Sequence, residues 1–233
     1  MNRKEFLEKL ELYLKESSFL DDFKFRDKDS SFIRKHKDPK GWDEIGLKNW
    51  ESFGDDGEQL SVEVGYRKRL DKYHSWYDEF NFKRPADRRI CATVGFANSM
   101  IPTDKPWMYH LPFESLNTEA KIAKFRTDLV ENAHYVYENF DTEEKIYKGL
   151  VYPILENDIS KLGVGAGADW VFIYLSLAWV NDQDNYEKVK DIILKQVDFL
   201  HTVQKNPNIA QYYDKMNSIL EKLESGILWA QNS

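Results

Sequence analysis

Apolar positions along the chain change their period twice. At the start, Phe6, Leu7, Leu10, Tyr13 and Leu14 recur at helical spacing, and Asn2 with Glu5 three residues on suits an N-terminal cap pair, so the pattern predicts one short helix. From Phe23 the period becomes two: Phe23 and Phe25, then turn-forming residues 27–31, then Phe32 and Ile33 read as a hairpin. The clearest strand sets Leu60, Val62, Val64 and Tyr66 on one face against Ser61, Glu63, Gly65 and Arg67 on the other. Before it, Gly54-Asp55-Asp56-Gly57 suits a turn back from the stretch holding Ile45, Leu47, Trp50 and Phe53. Alternation resumes at Trp76 through Phe80 and Phe82 and again over residues 90–96, which predicts further strands and no helix between residues 19 and 101.

After Pro102, Pro106 and Pro112 the period turns helical. Asn117 is a candidate cap for a helix whose inner face is Ile122, Phe125, Leu129, Ala133, Val136 and Phe140. Three more starts are predicted at Asp141 with Glu144, Asp184 with Glu187 and Asn208 with Gln211, and Pro153 is placed to kink the first of these helices. Strands followed by helices, rather than alternating with them, predict an α+β fold. Its expected parts are an N-terminal helix, an antiparallel sheet of four to six strands, and a C-terminal layer of about five helices. The expected organisation is a single domain over residues 1–233, mainly sheet over 1–100 and mainly helical over 113–233.

Composition narrows the class. A hydrophobic fraction of 42% with 15% aromatic residues suits a chain that folds on its own. The single cysteine, Cys91, cannot form an internal disulfide, and no apolar leader region follows Met1, so the cytoplasm is the expected compartment. The most apolar run, residues 168–180, falls short of the about 20 residues needed to span a bilayer, so it is expected as a buried helix and no membrane partner is expected. Residues 1–100 hold 20 basic and 20 acidic side chains, so the net charge of −7 falls wholly on the helical half. That balance disfavours nucleic acid, whose phosphates need clustered positive charge, and suits a basic protein partner.

Several motifs carry chemistry only in outline. Gly163, Gly165 and Gly167 resemble a phosphate loop, but no buried strand precedes them and no Lys-Ser/Thr pair follows, so they read as an interhelix connection. Glu131 with His134 and Asp198 with His201 share an acid-x-x-His spacing, yet both pairs lie well off the apolar stripe of their helices and point to solvent; no metal site is expected. Asp27, Asp29 and Ser31 open like a calcium loop, but Phe32 stands where glycine is required, so a hairpin turn is expected. Glu63 is followed by Val64 and Gly65, not by the lysine a restriction-type nuclease needs; no strand-elbow serine and no cofactor motif is present.

Two sets of residues remain. His74 is an acid–base candidate because imidazole titrates near neutrality, and Glu63, Arg67 and Arg69 are the charged groups that could join it in a cleft. Tyr73, Trp76, Tyr77, Phe80 and Phe82 exceed what one strand face can bury, so Tyr73, Trp76 and Tyr77 are expected on a binding surface. Trp107 and Tyr109, in the proline-rich stretch 101–113, form a second candidate rim. On the helix of residues 1–14, the strand of residues 60–66 and the acidic helical tail, the layout resembles uncharacterised bacterial domain-of-unknown-function proteins, some of them immunity-like. That resemblance implies a non-enzymatic protein-binding module; the alternative is a small-molecule or phosphoester enzyme with a pocket between sheet and helices.

Overall fold

The computed structural model describes residues 3–55, 57–80, 83, 88–89, 91–113, 118–156, 158 and 169–226. Helix α1 (Arg3–Lys15) is followed by strands β1 (Lys24–Arg26), β2 (Ser31–Lys37), β3 (Lys40–Gly54) and β4 (Gly57–Leu70). After the single-turn helix α2 (Lys72–Ser75) come β5 (Val94–Ala97) and β6 (Met108–Pro112). The six strands form one sheet in the order β1-β2-β3-β4-β5, with β6 also paired to β4. β1 and β2 pair antiparallel with Phe25 opposite Phe32, and β6 pairs antiparallel with β4 with His110 opposite Ser61. Among the described residues five helices of eight or more residues follow: α3 (Thr118–Asn139), α4 (Glu143–Leu150), α6 (Trp170–Asn181), α7 (Tyr186–Thr202) and α9 (Met216–Glu224). Short helices α5 (Tyr152–Leu155) and α8 (Pro207–Ala210) lie among them. The fold is α+β, as the change of period predicts, and no helix of the described residues is long and apolar enough to cross a membrane.

The chain divides into two compact units, each drawn from three stretches of sequence. The first comprises Met1–Lys37, Trp42–Lys68 and Gly95–Glu138; the second comprises Asp38–Gly41, Arg69–Val94 and Asn139–Ser233.

In the first unit, alternation along β3 and β4 buries Ile45, Leu47, Leu60, Val62, Val64 and Tyr66. Against this face α3 sets the predicted stripe from Ile122 to Val136, and Tyr66 and Tyr137 donate their hydroxyls to the carbonyl oxygens of Leu129 (3.4 Å) and Glu44 (2.9 Å). Helix α1 buries Phe6, Leu10 and Leu14, one residue per turn. The same buried face carries a carboxylate. Asp43, on β3, receives Arg34 (2.8 Å) and His36 (2.8 Å) from β2 and Lys68 (3.1 Å) from β4.

In the second unit α6 is apolar all round and lies at the centre, with residues 170–178 buried and α4 and α7 packed on it. Tyr77 stacks on Phe172 of α6 at 4.3 Å, and Phe172 meets Tyr212 at 5.0 Å. A Cβ added at Gly41 would stand 1.9 Å from the Arg69 carbonyl oxygen, so only glycine permits that backbone approach.

Several local expectations are corrected. Residues 76–80 are turns instead of a strand and follow a helical turn at 72–75, because Tyr73, Trp76 and Tyr77 keep an i, i+3, i+4 spacing that packs inward. The proline-rich stretch contains β6, since its prolines lie outside the paired centre of that strand or at its end. Helix α4 is capped by Thr142, whose hydroxyl accepts from Lys145 N, one residue after the expected Asp141. At α8, Pro207 in the first turn makes Asn206 the cap instead of Asn208. At α7 Asp182, not Asp184, accepts from Asn185 N (3.2 Å). The helix after Thr142 stops at Leu150 and restarts at Tyr152 beside Pro153. The Asn117 cap and the glycines at 163, 165 and 167 lie outside the described residues.

Burial alone would raise the Asp43 carboxyl, but hydrogen bonds from His36 and Arg34 and the charge of Lys68 outweigh it and hold the pKa below 3.8. The ionised carboxylate therefore contributes fully above about pH 4 and is lost as pH falls through the native pKa. Asp43→Asn, which leaves Lys68 and Arg34 uncompensated, is expected to lower the unfolding free energy by about 3 kcal/mol at pH 7 in urea titrations, with the gap from wild type closing below pH 4.

Candidate functional site

The side chains opposite the apolar face of β3 and β4 form a polar surface on the first unit. On β3 these are Glu44, Gly46, Lys48, Trp50 and Ser52; on β4 they are Gln59, Ser61, Glu63, Gly65 and Arg67. Register places His110 of β6 beside them, and its Nδ1 lies 2.9 Å from Ser61 Oγ and 3.1 Å from Gln59 Nε2. Ser61 Oγ lies 2.7 Å from Ser52 Oγ. Lys48 pairs with Glu63 (3.0 Å) and lies over the Trp50 ring at 5.7 Å. Arg67 pairs with Glu44 (2.7 Å), which Arg26 also approaches at 3.5 Å.

Trp50 is 38% exposed, and Phe53 near the hairpin turn is 80% exposed. Neither was expected there. Counted by alternation from the buried Ile45 and Leu47, position 50 falls on the opposite face, and that parity is the signal that identifies it.

The catalytic candidates are divided between the units and held by neighbours. Glu63 and Arg67 belong to the first unit and are each ion-paired as above. Arg69, in the second, gives Nε to Asp71 (2.6 Å) and Nη1 to the carbonyls of Arg88 (2.7 Å) and Cys91 (2.8 Å). His74 is 3% exposed, with Nε2 3.0 Å from Thr93 Oγ1 and Nδ1 3.1 Å from the Tyr77 hydroxyl. Leu70 N donates to the same Thr93 oxygen (2.8 Å), which leaves the Thr93 proton for His74 and suits a neutral ring. Burial, and then the charges of Arg69 and Lys83, push the His74 pKa well below 6.5. The ring ties α2 to Tyr77 and to Thr93, whose hydroxyl also accepts from Leu70 N at the end of β4.

The expected aromatic surface is also relocated. Tyr73, Trp76 and Tyr77 are buried in the second unit, and Tyr73 donates to Glu143 (2.6 Å). In the first unit Tyr109 packs edge-on to Phe125 at 4.7 Å and donates to the buried Asp128 (3.3 Å). Trp107, at 57% exposure, is the member of that set at the surface. His134 is exposed, and the described residues hold no group of three or more His, Cys, Asp or Glu placed to bind a metal ion.

Reactive groups do gather in the second unit, where Lys83 Nζ lies 3.1 Å from Cys91 Sγ and 2.9 Å from the fully buried Asp169. Burial and the Asp169 charge push the thiol pKa up, only partly offset by Lys83, so Cys91 is a poor nucleophile at neutral pH.

No protein-family model, curated protein or solved structure matches the chain.

An unfolded chain takes up a proton at His74 below about pH 6.5, whereas the native ring does not, so its contribution to stability is lost as pH falls from there. Urea midpoints measured between pH 7.5 and 5 are expected to show this as a slope of up to about 1.4 kcal/mol per pH unit that is missing in His74→Gln.

Proposed function

We propose that the chain is a non-enzymatic protein-binding module, immunity-like in kind, that holds a basic partner through its first unit. The observation that carries this reading is the exposure of Trp50, beside the ordered ladder of Lys48, Glu63, Ser61 and His110, together with that of Phe53 near the hairpin turn at the end of β3. Exposed aromatic side chains supply large contact area for little rotamer entropy, and they concentrate where proteins meet. The acid–base candidates support the same reading from the other side, since each is occupied in an ion pair or a buried hydrogen bond. Net charge of −7 favours encounter with a basic surface.

The side chains to replace are therefore Trp50 and Phe53; Trp76 and Tyr77 are core residues whose loss would unfold the second unit. Affinity capture from native lysate is expected to return one stoichiometric basic protein with the wild type and none with the Trp50→Ser, Phe53→Ser variant, whose urea midpoint stays near that of the wild type. Capture of nothing by the folded wild type would overturn the reading.

A further inference from the structure

We infer that Trp107 is a second anchor for the partner and receives one of its lysine or arginine side chains on the face of the indole ring. This rests on the protein-binding reading and names the group that the partner must supply. Trp107 and Met100, both on the loop of residues 98–107, are exposed. Among the described residues no aromatic ring and no cation stacks on the Trp107 ring, whereas Lys48 already lies over Trp50 at 5.7 Å. Met108 stands opposite Glu63, the ion-pair partner of Lys48, so Trp107, the residue before it, borders the polar ladder that also carries Trp50.

The loop that presents Trp107 is held from beneath by side chains that are costly to bury. Asn98 Nδ2 donates to the Pro106 carbonyl (3.1 Å) and closes the base of the loop, while Asn98 Oδ1 accepts from Asn132 of α3 (3.2 Å). Thr103 donates to the side-chain oxygen of Asn132 (3.3 Å). Lys105 bridges Glu131 (2.7 Å) and the buried Asp128 (3.3 Å), and Lys124 takes the other Asp128 oxygen (2.7 Å). Buried amides and carboxylates are tolerated only with their partners in place, so this network selects one conformation of the loop. A loop fixed before association loses less conformational entropy on binding, and an exposed tryptophan on such a loop has the properties of an interface hot spot. The charge around the ring chooses the occupant. Asp104, Asp128 and Glu131 set three carboxylates against Lys105 and Lys124, and Asp104, with its side chain 95% exposed, meets Lys105 only at 4.0 Å. An indole face attracts a cation through its quadrupole, and a carboxylate on the same loop adds to that attraction. In a symmetric pair of these chains the acidic loop would face itself, which is why a basic partner is the assigned occupant.

The probes are peptides selected on the full chain from a random ten-residue phage library and resynthesised for titration. Expected winners carry at least one Lys or Arg that cannot be exchanged for its uncharged counterpart, norleucine or citrulline, without loss of binding. They bind about tenfold more weakly to Trp107→Leu, which keeps apolar area and removes the ring face, and more weakly to Asp104→Lys; both positions are exposed, and urea midpoints near that of the wild type verify the fold. The losses from the peptide cation and from the indole are expected to overlap in a double-mutant cycle, since each removes the same contact. Equal binding to Trp107→Leu, fully additive losses, or winners without an essential cation would overturn the inference. So would self-association of the wild type abolished by Trp107→Leu. Winners, or a captured cellular partner, lost with Trp50→Ser, Phe53→Ser but held by Trp107→Leu leave protein binding standing and remove this site; if wild type retains neither partner nor peptide, both readings fall.

Discussion

A carboxylate buried among Arg34, Lys68 and the His36 ring governs the first unit. Asp43 is fully enclosed, and an ion of that kind is tolerated in a protein interior only when its partners are in place. Those partners come from the two strands flanking its own, so moving β2 or β4 by one residue would turn Arg34, His36 or Lys68 to the opposite face and leave the charge bare. The ion pairs add little net stability compared with an apolar core of the same volume; what they add is a penalty on every other register. The polar ladder on the reverse face, from Arg67 and Glu44 to Lys48, Glu63 and His110, inherits its order from that register.

What the sequence made legible was what is periodic over several turns or pleats. The helix of Phe6, Leu10 and Leu14, the strand of Leu60 to Tyr66 and the stripe of Ile122 to Val136 each repeat a signal several times, so a local exception does not hide it. Tyr73, Trp76 and Tyr77 could be read with either period, and only the presence of Phe172 and Tyr212, about a hundred residues or more away, decides that they are core. Caps slid by one or two positions because several polar residues crowd each helix start, and the backbone, not the side-chain type, selects among them. The Asp43 cluster could not be read at all, since Arg34, His36 and Lys68 acquire meaning only once the strands are side by side.

The groups that bear chemistry and the groups left for contact are sorted differently in this molecule. Imidazole and guanidinium side chains that looked reactive in isolation are held by neighbours, as His74 and Arg69 are. Aromatic area is instead found toward the end of β3, where Trp50 and Phe53 lie within four residues of one another. Burial costs a functional acid or base its exchange with solvent, while exposure costs an aromatic side chain nothing it needs for association.

Neither unit is a continuous stretch of chain. The first lacks its third piece until residue 138 has been made, and the second is built largely from residues that come later still. On the ribosome, then, the strands of residues 31–70 must wait, with Asp43 ionised and solvated, until the helix of Leu129 and Val136 emerges to cover them. No single cut in the gene separates the two units, because the stretches of one are interleaved with those of the other.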